Sequence, residues 1–180
     1  MKKFLAILFI CTASFSFGKA QNGLNDTTSP VHAYEISYSK DQKVFKGLLT
    51  RSDIENDTTF KWFQQNYKLG KPDAATVDAF KKHLNDFQMV IFMGTWCDDT
   101  QNLLPQFFRL ADASGYTEDN ITLIGVDRPK TTLSDLHRAF HIVDVPTFIV
   151  MKNGKEVGRV VEYGESGEAM KELGKIVDGL

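Results

Sequence analysis

The feature that most limits what this chain can become is the run Phe87 to Met93, in which Met89, Val90, Ile91 and Phe92 follow one another without a polar break. Successive side chains of a strand point to opposite faces, so consecutive apolar residues read as a strand buried on both sides. Such a strand belongs inside a sheet covered by helices, an α/β arrangement. Gly94-Thr95-Trp96-Cys97-Asp98-Asp99-Thr100 follows directly, closing the apolar run and opening an amphipathic one. The spacing predicts a helix from Asp98 to Ala113, with Leu103, Leu104, Phe107 and Leu110 inward and Ser114-Gly115 ending it. Pro105 lies inside that helix and is expected to kink it, at about 3 kcal/mol relative to a good helix former.

Downstream, Ile121 to Val126 is a second apolar strand, bounded by Asp127-Arg128-Pro129. Strand, helix, strand in that order makes a parallel crossover unit, right-handed in nearly all proteins. Thr132 or Ser134 is expected to start a short helix containing Leu136 and Phe140, after which Val145-Pro146 leads into a strand reaching Met151. Asn153-Gly154 is a two-residue hairpin signal, returning through Val157, Val160 and Val161. Glu165 to Val177 is predicted as a closing helix, with Met170, Leu173 and Val177 inward. Upstream, Asp57-Thr58-Thr59 can cap a helix carrying Phe60, Phe63 and Tyr67 until Gly70-Lys71-Pro72 stops it. Asp73 can cap another, with Val77, Phe80 and Leu84 on one stripe. From Tyr34 to Phe45 the pattern is ambiguous: Tyr34, Ile36 and Tyr38 alternate as in a strand, but Lys40-Asp41-Gln42-Lys43 interrupts them.

The start of the chain reads differently. Met1-Lys2-Lys3, the apolar run Phe4 to Ile10 and a small-residue stretch ending Gly18-Lys19-Ala20 make residues 1–20 an export signal, expected to be cleaved after Ala20. The protein is then periplasmic or extracellular. Cys11 lies inside that signal; lipidation there would give a membrane anchor, but Ile10 stands where such signals carry a small residue. Residues 21–30 are polar turn formers, read as a flexible leader. Removing residues 1–20 takes three lysines and no acids, so 21 Lys+Arg against 23 Asp+Glu becomes 18 against 23, and the formal charge moves from −2 to −5. An acidic surface argues against nucleic acid or anionic membrane as the main partner. The cleaved chain keeps one cysteine, Cys97, which cannot form an internal disulfide and is to be read as reactive, intermolecular or buried.

Taken together, the strand, Trp96-Cys97, the kinked helix, Val145-Pro146-Thr147, the Asn153-Gly154 hairpin and the closing helix resemble the thioredoxin family, most nearly its exported bacterial thioredoxin-like members. The likeness covers residues 86–180, with 21–85 as an added leader and helical region. Trp96-Cys97 resembles the opening of the family's Trp-Cys-Gly-Pro-Cys motif, Pro105 its helix-kinking proline, and Pro146 its cis-proline facing the active site. The resemblance implies a thioredoxin-like fold with a central mixed sheet flanked by helices, and thiol–disulfide exchange without a cofactor or metal. It also implies the departures: Asp98-Asp99 replace Gly-Pro, Thr100 replaces the resolving cysteine, and Ile91 stands where the family often buries an aspartate that assists the resolving thiol.

Two functions follow as expectations. In one, Cys97 attacks a disulfide and forms a mixed disulfide that the protein substrate or a small thiol resolves, a one-thiol route to reduction or isomerisation. In the other, the same groove is redox-silent and binds extended peptides or a partner protein. A helix start favours a thiolate at Cys97, while Asp98 and Asp99 oppose a second negative charge, and the sequence does not rank the two. Thr100 can donate a hydrogen bond toward the sulfur or simply cap the helix. Val145 and Pro146 are the expected substrate platform, and Trp96 is either a rim contact for substrate or packing. Asp98 and Asp99 read as a solvated helix start rather than a metal site, and His141 as surface or packing.

Overall fold

A computed structural model describes residues 34–180; the expected export signal at 1–20, Cys11 and the expected leader at 21–30 lie outside the described residues. The hairpin β1 (Tyr34–Ser39) and β2 (Gln42–Leu49) leads into helices α1 (Arg51–Glu55), α2 (Lys61–Leu69) and α3 (Ala74–Lys82). Then come β3 (Gln88–Met93), α4 (Asp98–Ser114), β4 (Ile121–Gly125), α5 (Leu136–Ala139), β5 (Thr147–Lys152), β6 (Lys155–Val161) and α6 (Ala169–Asp178). The strands form one mixed sheet in the order β1-β2-β4-β3-β5-β6. β3 pairs parallel with β4 and antiparallel with β5, with Ile91 opposite Leu123 on one side and Phe148 on the other. This is the expected thioredoxin-like arrangement, with β3 flanked on both edges.

The apolar run divides as its period requires. Met89, Ile91 and Met93 join one core with Phe63 of α2, Phe80 of α3, Leu104 and Phe107 of α4 and Leu173 and Val177 of α6. Phe92 joins a smaller core on the opposite face with Ile124, Val126, Val145 and Ile149, against which Trp96, Leu136 and Phe140 pack. α4 ends at Gly115, whose φ of 75° closes the helix in the left-handed region that glycine adopts without cost.

Several elements depart from the sequence expectation. Lys40-Asp41 does not interrupt a strand but turns it: φ of 51° and 61° at these residues makes the two-residue turn of a hairpin, and β2 continues to Leu49 where it pairs antiparallel with β4. Residues 34–49, within the stretch expected to be leader and helical, therefore extend the sheet. Asp57 does not cap α2; it accepts from the Thr59 amide at 2.9 Å and pairs with Lys43, and α2 begins at Lys61. The closing helix starts at Ala169, not Glu165, because the Glu172 carboxylate accepts from the amides of Glu165 (3.1 Å) and Ser166 (2.5 Å) and holds that segment as a loop. α1 had no counterpart in the expectation; Thr50 and Asp53 form its capping box.

Candidate functional site

Cys97 is the N-cap of α4, in extended conformation, where the chain turns from β3 into the helix. Its amide donates to the Gly94 carbonyl (3.0 Å) and its carbonyl accepts the Gln101 amide (2.9 Å), so the backbone on both sides of the sulfur is fixed. The thiol is half-buried and free of any disulfide, and it donates to the Val145 carbonyl at 3.1 Å. The Val145–Pro146 peptide is cis. Trp96, Cys97, Val145 and Pro146 are thus brought together where α4 begins and β5 is entered. Val145 is itself only 1% exposed and Pro146 is buried beside it, so of the four the half-buried Trp96 and Cys97 are the ones that reach the surface.

Thr100 is placed differently from the expectation. It is wholly buried, and its hydroxyl accepts from the Gly94 amide at 3.3 Å. Among the described residues no hydrogen bond joins Thr100 to the sulfur, and the N-cap position belongs to Cys97, three residues earlier. The reason is geometric: at the third position of the helix the side chain leans back over the preceding turn, which here presents the free N–H of Gly94. Thr100 ties the end of β3 to the first turn of α4.

Trp96 is half-buried and packed against the smaller core. Its Nε1 donates to the Val126 carbonyl (3.0 Å), and the Arg128 guanidinium lies over its ring at 5.2 Å from the centroid. The indole folds over Gly94 so closely that a Cβ there would stand 2.8 Å from Cε2, which requires glycine at this position. His141 is exposed.

Other groups around the loop carried no local sequence signal, because each comes from a different element. Thr95 donates to the Lys43 carbonyl (2.7 Å), and the Gln101 side chain donates to the Thr95 carbonyl (2.9 Å). Glu162 donates its amide to the Pro146 carbonyl at 2.7 Å. Burial pushes the Glu162 carboxyl up from its ordinary value, and the charges of Asp144 and Asp99 push it further, against the pull of Lys130. The charges of Asp144 and Asp99 thus reach Glu162, whose amide bonds Pro146, while Asp144 is itself paired with Lys130. Among the described residues no cluster of three His, Cys, Asp or Glu side chains is arranged to hold a metal ion.

A thiol at a helix start, set against a proline-led strand on a mixed sheet, defines a thioredoxin-fold protein. The chain belongs to the thioredoxin family, whose sequence model matches residues 71–175. It is similar to thioredoxin H2 of Arabidopsis thaliana, 26% identical over 95 residues covering 53% of this chain and 66% of that one. A thioredoxin of Echinococcus granulosus is 32% identical over 76 residues, 42% of this chain and 65% of the relative. The chain thus spans just under two-thirds of the length of these two relatives. Among solved structures, reduced Schistosoma mansoni thioredoxin pre-protein aligns at 29% identity and a TM-score of 0.39, over 59% of this chain and 90% of that one.

Proposed function

We propose that this protein is exported and exchanges thiols and disulfides through Cys97 by a one-thiol route. The observation that carries the reading is the Cys97 sulfur, at the start of α4 and 3.1 Å from the Val145 carbonyl beside Pro146. In the first step the thiol loses its proton to solvent and the thiolate attacks a substrate disulfide. One sulfur–sulfur bond forms to Cys97, the substrate bond breaks, and the departing substrate sulfur leaves as a thiolate. In the second, an external thiol attacks the substrate sulfur of the mixed disulfide and releases Cys97: a thiol of the substrate itself leaves a rearranged disulfide, whereas a small thiol is left joined to the substrate until a second one displaces it, so that two small thiols become one disulfide as the substrate disulfide is reduced. Protein disulfides and small thiols are the partners this chemistry needs. Export rests on the basic start and apolar run of residues 1–20.

One observation favours the second reading, a groove that binds without chemistry. Thr100 is buried with its hydroxyl engaged by Gly94, and Ile91 is buried in the apolar core, so no second group stands ready to resolve a bond at Cys97. Incubation with a peptide disulfide followed by intact-mass measurement separates the two. A mixed-disulfide adduct that disappears in Cys97→Ser supports exchange; peptide binding without an adduct, unchanged in Cys97→Ser, overturns it in favour of the silent groove.

A further inference from the structure

The loop that carries Cys97 is gripped from outside the family-matched region. β2 lies before residue 71, where that match begins, yet three of its residues reach the loops flanking the sulfur. The Lys43 carbonyl accepts the Thr95 hydroxyl at 2.7 Å. Lys46 Nζ holds Asp127 Oδ2 (2.8 Å) and Thr131 Oγ1 (3.0 Å), fixing the segment that follows β4. The Gln42 side-chain carbonyl accepts from Arg128 Nη2, and the same guanidinium covers the Trp96 ring.

Arg128 is unusual for a cation in this position. Its Nε is buried without a partner, and among the described residues no carboxylate lies within ion-pair distance of it. Its attraction to the indole is therefore not competed for by a carboxylate, and a planar guanidinium is the cation that stacks on a ring while still donating sideways. Trp96 is clamped on two sides, by Arg128 over its face and by the Val126 carbonyl at its N–H. It is the residue immediately before Cys97, so its clamped side chain adds to the two backbone hydrogen bonds that hold the loop from which the sulfur projects.

We infer that Gln42 and Arg128 are positioning residues, a brace built by the β1–β2 hairpin that holds Trp96 and so aims Cys97 at an incoming polypeptide disulfide. The inference rests on Cys97 being the reactive thiol. A small probe needs only an open sulfur, whereas a polypeptide disulfide must be aligned with it, so loss of the brace slows the second far more than the first.

The test uses the full chain with Arg128→Lys, which keeps the charge and removes the planar stack, and Gln42→Ala, which frees the guanidinium. Both are also made with Trp62→Phe, so that Trp96 is the one indole reporting by fluorescence. The expected result is acrylamide quenching of Trp96 raised about twofold. Mixed-disulfide formation with a peptide disulfide falls about tenfold in Arg128→Lys and less in Gln42→Ala, while iodoacetamide alkylation of Cys97 stays within about twofold at an unchanged pH midpoint. Wild-type quenching and peptide rates in both variants would overturn the brace. So would a loss of rate that tracks a moved alkylation midpoint, which marks a charge effect, or one shared equally by peptide and small probe. If the wild-type chain itself forms no adduct, the proposed exchange function fails, and Trp96 quenching alone then decides whether the brace exists.

Discussion

Replacing Thr100 with valine isolates the one hydrogen bond that distinguishes the observed role of this residue from the expected one. The two side chains are nearly equal in volume, so what changes is the hydroxyl that accepts from the Gly94 amide at 3.3 Å. The bond is long, and its own net contribution lies at the low end of the usual range. The larger cost is the buried Gly94 N–H left without an acceptor, about 1–3 kcal/mol. For a domain of this size each kcal/mol moves Tm by about 2–4 °C, so the Tm followed by circular dichroism should fall by about 2–12 °C. Iodoacetamide alkylation of Cys97 across pH gives the second measurement. Because the hydroxyl faces the Gly94 amide and makes no bond to the sulfur, the alkylation midpoint should stay where it is in the wild type. A Tm change below about 1 °C would show that the amide is satisfied elsewhere. An upward move of the midpoint by about half a pH unit or more would show that the hydroxyl reaches the thiolate after all.

Three further outcomes are expected. Thr100→Cys puts a second sulfur one helical turn from Cys97, a separation a disulfide can span, so mild oxidation should consume both thiols within one chain and leave no adduct detectable by mass. Arg51 lies over the rings of Phe63, Tyr67 and Phe108 at 5.9, 5.4 and 5.0 Å and pairs with Glu55 and Asp112, so Arg51→Lys, which loses the planar stack, should cost about 1–2 kcal/mol, read as a lower denaturant midpoint at constant slope. Burial pushes the carboxyls of Asp57, Asp112 and Asp127 up, but hydrogen bonds led by those from Lys43, Arg51 and Lys46 outweigh it and hold all three below the ordinary value of 3.8. Below about pH 4 the unfolded chain binds more protons at these positions than the folded one, so stability is full above that value and is lost as pH falls; acid titration of Asp127→Asn should show a shallower loss than the wild type.

What the sequence made legible is what periodicity encodes. β3, α4 and the β5–β6 hairpin lie where their patterns put them, because a two-faced apolar run, a 3.6-residue stripe and Asn153-Gly154 are each strong local signals. The β1–β2 turn was obscured because Lys40 and Asp41 occupy left-handed conformations without glycine, so charge looked like a break in the strand. The late start of α6 depends on a carboxylate seven residues downstream of the loop it organises, which no window centred on Glu165 reveals. In the site, Cys97 and Trp96 were readable from the strand-to-helix junction, and Pro146 through the family likeness. The direction of the Thr100 hydroxyl was not, since helical spacing fixes which residues are neighbours but a side-chain rotamer decides what they bond. Asp99, Asp144 and Glu162 come from three elements far apart in sequence, so only the folded chain brings them together.

The buried groups of β3 and α4 bear on how a bond made at Cys97 is broken. Ile91 is fully buried among Met89, Met93 and the α4 side chains, and a carboxylate in its place would carry a desolvation cost that only a paired partner could offset. Thr100, one turn beneath the sulfur, is committed to Gly94. Cys97 itself packs against the smaller core of Phe92, Ile124, Val126, Val145 and Ile149 on the other face of the sheet, whose side chains neither donate electrons nor shuttle protons. On the one-thiol reading the resolving thiol has to arrive through solvent, past exposed Asp98 and the carboxylates of Asp99 and Glu162, with Asp144 paired to Lys130 beside them. A resolving thiol that carries its own negative charge meets repulsion there, screened over about 10 Å at ordinary ionic strength. A neutral or cationic thiol does not. On that reading, charge at the rim, and not a second cysteine, selects the molecule that completes the exchange.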